Sequence, residues 1–347
     1  MGSESNFRGT LREEIGKSTL TPIFLTIAAL LAVLVITPFS GSYVIVLVTH
    51  ALIFSILAMS LDILLGYTGL PSLGQAAYLG MGGYLTAILA TRYQFGLDWT
   101  FWVVVVLGIL IAAATAAFFG LFAIRAGGVY FLMITLALGM CVWGLAYRWN
   151  SLTGGDNGIV LPPRPEFGIQ LADDIIFFYV VFGFFTAALA AMTLLVKSPF
   201  GRSLVGIREN ELRMRILGYN TWLHKYIAFI IAGGFGGLAG VLWAHAHGLV
   251  SPEDVTLATS VDALLMVVLG GSGTLVGGAI GAGIVVFLRE YLSTLVPWWQ
   301  YVLGGVYVLT ILYLPGGLMS IPERIRRRRA PSPGAGEAKS LQSVSQQ

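Results

Sequence analysis

The sequence predicts an all-α membrane protein, a polytopic bundle of about ten transmembrane helices, and three observations predict it. Hydrophobic residues make up 56% of the 347 positions and charged residues only 11%, more apolar surface than a water-soluble domain can hide. The apolar residues fall in continuous runs of roughly 17 to 25, the length at which a helix rising 1.5 Å per residue crosses about 30 Å of hydrocarbon. The 44 glycines are too many for a soluble helical protein but suit membrane helices, whose backbones approach through small residues. A membrane barrel would alternate apolar and polar residues instead, and these runs do not.

The candidate spans are 22–40, 43–65, 73–92, 100–124, 128–149, 174–196, 225–248, 256–271, 275–293 and 298–316, with 73–92 and 256–271 the weakest by length and composition. The first run is longer than a signal-peptide core and reads as an uncleaved span behind a polar segment, 1–21. Lys and Arg stay preferentially on the cytoplasmic side. Loop 197–224 carries Lys197, Arg202, Arg208, Arg213 and Arg215, and the tail carries Arg324 and the run Arg326 to Arg329. Both are expected inside, and the four candidate spans between them satisfy that parity. Counting backwards puts loop 150–173, with Asp156, Glu166, Asp173 and Asp174, outside together with Glu253 and Asp254. Both termini are then expected in the cytoplasm. Three segments result: a cytoplasmic stretch 1–21, a transmembrane domain 22–317, and a basic tail 318–347. The tail is rich in Pro, Gly, Ser and Gln, a composition that predicts disorder. Its arginines serve as a topology anchor or touch anionic membrane lipid.

The net charge of +3 gathers beside apolar runs rather than in a patch, so no nucleic-acid partner is expected. Gly16-Lys17-Ser18 is the one place where those residue types occur in phosphate-loop order, and the required Gly five residues earlier is Leu11. The chain is therefore not expected to be an enzyme or to bind a cofactor. His245 and His247 are two apart, against the three or four of a helical zinc pair, so no metal site is expected. His50 and Cys141 read as packed residues of apolar segments.

Asp62 and Asp262 stand inside spans, where a carboxylate costs several kcal/mol unless paired, hydrated or protonated. Proton coupling, recognition of a substrate amine and helix-to-helix hydrogen bonding all fit them. Two stretches share a pattern, Leu65-Gly66-Tyr67-Thr68-Gly69 with Gly74 and Leu269-Gly270-Gly271-Ser272-Gly273 with Gly277. The break Gly69-Leu70-Pro71-Ser72, followed by Gly74 and Gln75, is of the kind transporters use to expose backbone to cargo. A short turn with close packing accounts for it equally. Gly236 with Gly240, and Gly277 with Gly281, have the spacing of helix contacts.

Residues 203–217, ended by Gly218, are long enough for a helix of about four turns suited to docking on a partner. At Ser198-Pro199-Phe200-Gly201, at Ile207-Arg208-Glu209-Asn210-Glu211 through Leu217-Gly218, and at Gly66-Tyr67-Thr68-Gly69 with Ser72-Leu73-Gly74-Gln75-Ala76, the chain resembles the LivM-type permeases of branched-chain amino acid ABC importers. Gly127-Gly128-Val129-Tyr130-Phe131 and Thr153-Gly154-Gly155-Asp156-Asn157-Gly158 extend the likeness, which runs from about 43 to 317. The resemblance implies an ABC importer permease fold and a paired permease subunit. It also implies two ATP-binding subunits that carry ATP and Mg, and an external binding protein delivering leucine, isoleucine or valine. It points to Arg208, Glu209, Glu211 and Gly218 as contacts with the ATPase, and leaves Asp62, Gly74, Gln75 and Asp262 as candidates for the translocation pathway. Arg213 and Met214 replace the small residues usual in that family after the second glutamate. Urea or short amides are a competing cargo, a proton-coupled transporter using Asp62 and Asp262 a competing class, and a passive channel a third.

Overall fold

A computed structural model describes residues 33–35, 37–39, 41–92, 100–164, 173–296, 298–313 and 316–320. Segment 1–21, most of the expected span 22–40 and most of the tail lie outside the described residues. The α-helices of six or more residues are α1 (Ser42–Asp62), α2 (Gln75–Arg92), α3 (Thr100–Ala123), α4 (Val129–Arg148), α5 (Asp174–Lys197), α6 (Pro199–Glu209), α7 (Glu211–Ile216), α8 (Thr221–His247), α9 (Leu257–Gly270), α10 (Leu275–Leu295) and α11 (Trp299–Tyr313). Helix α1 passes directly into a π-helical turn, Ile63–Thr68, making 27 continuous helical residues.

Six of these are long and apolar enough to cross a membrane: α1 with its π turn, α3, α4, α5, α8 and α10. The expected count of about ten is not matched by the described helices. Helix α9 has 14 residues and α11 has 15, which at 1.5 Å per residue reach only about 21 and 22 Å. Helix α2 has 18 residues but carries Gly80, Gly82 and Gly83 along its length and is largely buried. A run of apolar residues looks the same in sequence whether lipid or protein surrounds it.

The centre of the bundle is α1 and α8, whose most apolar stretches are 72% and 78% buried, against 22% for α4. Glycines let α8 lie between α2 and α3. A side chain on Gly240 would overlap the Leu79 carbonyl of α2, and one on Gly237 the Ala112 side chain of α3. Gly281 likewise meets Met266 of α9, and Gly277 the Gly270 carbonyl, so both expected glycine pairs are packing sites. Cys141 is exposed, which corrects its reading as a core residue: α4 turns most of its surface away from the rest of the chain.

Two short strands, β1 (Ile159–Val160) and β2 (Leu249–Val250), pair antiparallel with Ile159 opposite Val250. They bring the 150–164 and 248–256 loops to one end of the bundle, as the crossing parity requires. Arg164 ties this end together: its Nη1 donates to Asp174 at 2.9 Å, its Nε donates to the His245 carbonyl at 2.9 Å, and its guanidinium lies 4.1 Å from the Phe177 ring centre.

The expected single helix over 203–217 is two helices. The chain breaks at Asn210 (φ −158°, ψ 96°), whose side chain accepts from the Arg213 N–H at 2.9 Å and so starts α7. Helix α7 ends in a Schellman turn. Tyr219 N–H donates to the Met214 carbonyl, Gly218 N–H donates to that of Arg215, and Gly218 takes φ +88°. Asn220 then caps α8, which begins at Thr221, four residues before the expected 225.

Candidate functional site

The loop between α5 and α8 is fastened by one carboxylate. Glu211 accepts from Lys225 Nζ at 2.6 Å, from Arg215 Nη2 at 2.7 Å and from the Thr221 hydroxyl at 3.1 Å. It therefore faces its own chain, joining α7 to α8. Met214 packs back over Gly206, where a Cβ would stand 2.9 Å from its sulfur, which gives this larger residue its place. Glu209 is exposed, as are Leu212 (68%), Ile216 (79%) and Leu217 (65%). This apolar face on α7 was missed in the sequence, although the spacing of Leu212 and Ile216 by four was visible.

Burial raises the Glu211 carboxyl, but hydrogen bonding and charge from Lys225, with hydrogen bonds from Arg215 and Thr221, outweigh it and bring it below its ordinary 4.5. A carboxyl lowered on folding stabilises above its unfolded pKa, and that contribution is lost as pH falls through the folded value. The loop is thus expected to stay fastened from neutral pH down to about 4.5 and to loosen below it. Glu211→Gln should speed amide exchange across 211–225 severalfold at neutral pH and abolish the acid loosening. Equal exchange in the variant and the parent, corrected for intrinsic rates, would remove this role.

Above the loop the two glycine segments meet. Asp62 is fully buried, and its Oδ1 accepts from the Gly273 N–H at 2.7 Å. Gly66 sits between them so closely that a Cβ would collide with Asp62 and with the Gly273 backbone. Arg208 reaches up from α6 and donates through Nη1 to the Gly66 carbonyl. The pattern shared by 65–69 and 269–273 is therefore one junction of two helix ends.

Gly74 and Gln75 lie at the break between α1 and α2. Gln75 is fully buried and donates through Nε2 to Ser60 at 2.8 Å, while its Oε1 has no partner among the described residues. Ala76 N–H donates to Ser260 of α9 and Leu73 N–H donates to Thr135 of α4, each at 3.1 Å. A Cβ on Gly74 would stand 3.2 Å from the Thr135 carbonyl. Ser60, Thr135 and Ser260 gave no signal in sequence, because small hydroxyl residues are common in any span.

Asp262 is separate from this junction: its partner is Arg289 of α10, with Oδ2 and Nη1 3.5 Å apart. Arg289, the basic residue inside the run 275–293, was a visible and overlooked mate. A mainly apolar cavity of about 640 Å³ lies among α1, α5 and α10, lined by Leu52, Ser55, Phe185, Leu189, Ala279 and Ile280, among others. None of Asp62, Gly74, Gln75 and Asp262 lines it. His50 packs against Trp243 at 5.0 Å between ring centres, yet its Nε2 has no hydrogen-bond partner among the described residues, so the packing expected of it stands and a hydrogen bond at that nitrogen does not. Among the described residues no cluster of three or more His, Cys, Asp or Glu could hold a metal.

A helical bundle with six apolar helices long enough to cross a membrane and a folded loop between α5 and α8 defines a multi-pass membrane protein. Residues 42–312 match the model of the family described as the branched-chain amino acid transport system permease component, and the chain belongs to that family. Its class is that of ABC transporter permeases. It is similar to the high-affinity branched-chain amino acid transport system permease protein LivM of Salmonella typhimurium and to that of Escherichia coli K12. Each is 32% identical over 320 residues, covering 85% of this chain and 74% of the relative. The autoinducer 2 import system permease protein LsrC of Salmonella typhi is 31% identical over 190 residues, covering 49% of this chain and 54% of that one. No solved structure matches.

Proposed function

We propose that this chain is the transmembrane permease subunit of an ATP-driven importer of branched-chain amino acids in a bacterial inner membrane. It pairs with a second permease, two ATP-binding subunits and an external substrate-binding protein. The observation that carries the reading is the exposed apolar face Leu212, Ile216 and Leu217 beside Glu209, on a short helix held rigidly by Glu211 and ended by Gly218. A folded helix presenting aliphatic anchors suits a groove in a partner. Arg213 and Arg215 beside it call for acidic positions there. ATP and Mg belong to that partner, since this chain has no phosphate loop.

In this reading 22–317 forms the permease domain, 1–21 and the basic tail 318–347 are cytoplasmic, and α2, α9 and α11 belong with the six spanning helices to a bundle of about ten membrane-embedded helices. Gly74 and Gln75 lie on the translocation pathway, while Asp62 and Asp262 hold the helices beside it. The substrate class follows the two LivM relatives, which cover most of this chain. The shorter LsrC match supports a different cargo on the same machine, and urea or a short amide is the other candidate.

Tagged chain extracted in detergent is expected to bring down an ATPase whose hydrolysis rises when the binding protein is loaded with leucine and not when it is offered urea. Absence of any ATPase, or leucine uptake that continues once the ATPase is deleted, would defeat the proposal.

A further inference from the structure

We propose that Arg208 is the positioning residue through which movement of α6 and α7 enters the bundle, by gripping the junction between the inner ends of α1 and α10. This rests on the reading of the loop as the ATPase's docking surface.

The argument starts from one backbone carbonyl. In a regular α-helix the Gly66 carbonyl would accept from the N–H of Leu70. Here the chain has widened into a π turn, and Leu70 N–H donates instead to the Leu64 carbonyl at 2.9 Å. Gly66 is thus left with an oxygen inside the protein that needs a donor, and Arg208 supplies it. The bond joins a side chain of the loop to the main chain of the central helix, 142 residues away.

The slot that receives the guanidinium is built of glycine on each side. Gly69 takes φ +71°, and a Cβ there would stand 3.1 Å from Arg208 Cγ. A Cβ on Gly273 would stand 3.3 Å from Arg208 Nη1 and 3.4 Å from the Gly66 carbonyl. Gly273 is held in turn by Asp62. Displacing Arg208 therefore shifts α1 and the start of α10 together, because Asp62, Gly66 and Gly273 cannot separate without leaving buried polar groups unpaired.

From there the contacts continue without a gap. Helix α10 lies on α9 through Gly277 and Gly281, whose side-chain positions are filled by the Gly270 carbonyl and by Met266. Helix α9 in turn supplies Ser260 to the first turn of α2, at Ala76. Helices packed backbone to backbone move as bodies rather than deform. A push on α6 would therefore arrive at the break holding Gly74 and Gln75. Glu209, next to Arg208 on α6, is exposed and remains on the side open to a partner.

The test uses the whole complex in proteoliposomes with leucine-loaded binding protein, comparing the parent with Arg208→Ala and Arg208→Lys. The Arg208→Ala complex is expected to keep its ATPase subunits through purification while leucine imported per ATP falls roughly tenfold, within the range typical of coupling between sites. Arg208→Lys, whose ammonium can still reach a single carbonyl, should recover part of that. Amide exchange of peptide 269–275 should rise in Arg208→Ala and less in Arg208→Lys. Unimpaired import by Arg208→Ala, unchanged exchange at 269–275, or loss of the ATPase from the Arg208→Ala complex would each overturn the proposal. A parent complex that imports without ATP sinks the importer reading itself, whereas an ATP-dependent parent beside an unimpaired Arg208→Ala sinks only the role of Arg208.

Discussion

Gly240→Val is expected to leave little folded protein. The new Cβ would overlap the backbone of Leu79, an obstacle that no rotamer change removes, so α8, the most buried of the six spanning helices, must move off α2. Overpacking in a close-packed interior costs about 1–3 kcal/mol and more where backbone blocks the way, and the displaced helix is the one on which α2 and α3 both lie. Gly144→Val makes the matched control, because nothing lies within 4 Å of that position. Monodisperse yield after detergent extraction should fall several-fold for Gly240→Val and stay near the parent for Gly144→Val. Equal recovery of the two would mean that the glycine seam is not what holds α8 in place.

The second large effect separates the two classes of transporter that the sequence left open. A carboxylate inside the membrane fits proton coupling, and Asp62 was a candidate for it. In the structure, however, its Oδ1 is committed to the Gly273 N–H, and Asp262 is paired elsewhere with Arg289, so the two acids share no site. If Asp62 serves as an acceptor, Asp62→Asn keeps a carbonyl oxygen for Gly273 and leucine uptake stays within a few-fold of the parent. Asp62→Ala removes the acceptor, leaves the half-buried Gly273 N–H unpaired and should abolish most uptake. Collapse of uptake in Asp62→Asn equal to that in Asp62→Ala, together with sensitivity of the parent to loss of the proton gradient, would restore the proton-coupled reading.

Class, family and the outline of the bundle were legible in the residues alone. Continuous apolar runs and a charge bias beside them are one-dimensional signals, because the bilayer acts on each segment separately and asks only for length and hydrophobicity. The helical character of the loop between α5 and α8, and its stop at Gly218, were legible for the same local reason. Its break at Asn210 was missed, since an Asn that caps a new helix and an Asn within one read alike until the backbone turns.

What only the tertiary structure decided is which groups meet. Glycine at 66 and glycine at 273 look like two loose echoes in sequence, yet they are one contact, closed by Asp62 and by an arginine from a third segment. Arg289 opposite Asp262, Ser260 on the first turn of α2 and Glu211 turned inward toward Lys225 were hidden in the same way. The physical reason is that a hydrogen bond or a backbone contact spans a few ångströms, and no pattern along the chain reports which distant residues the packing brings within that reach. Sequence determined that this is a multi-pass membrane protein and what family it belongs to; packing decided which of its apolar runs are buried within the bundle and that the loop and the central helix are joined through Arg208.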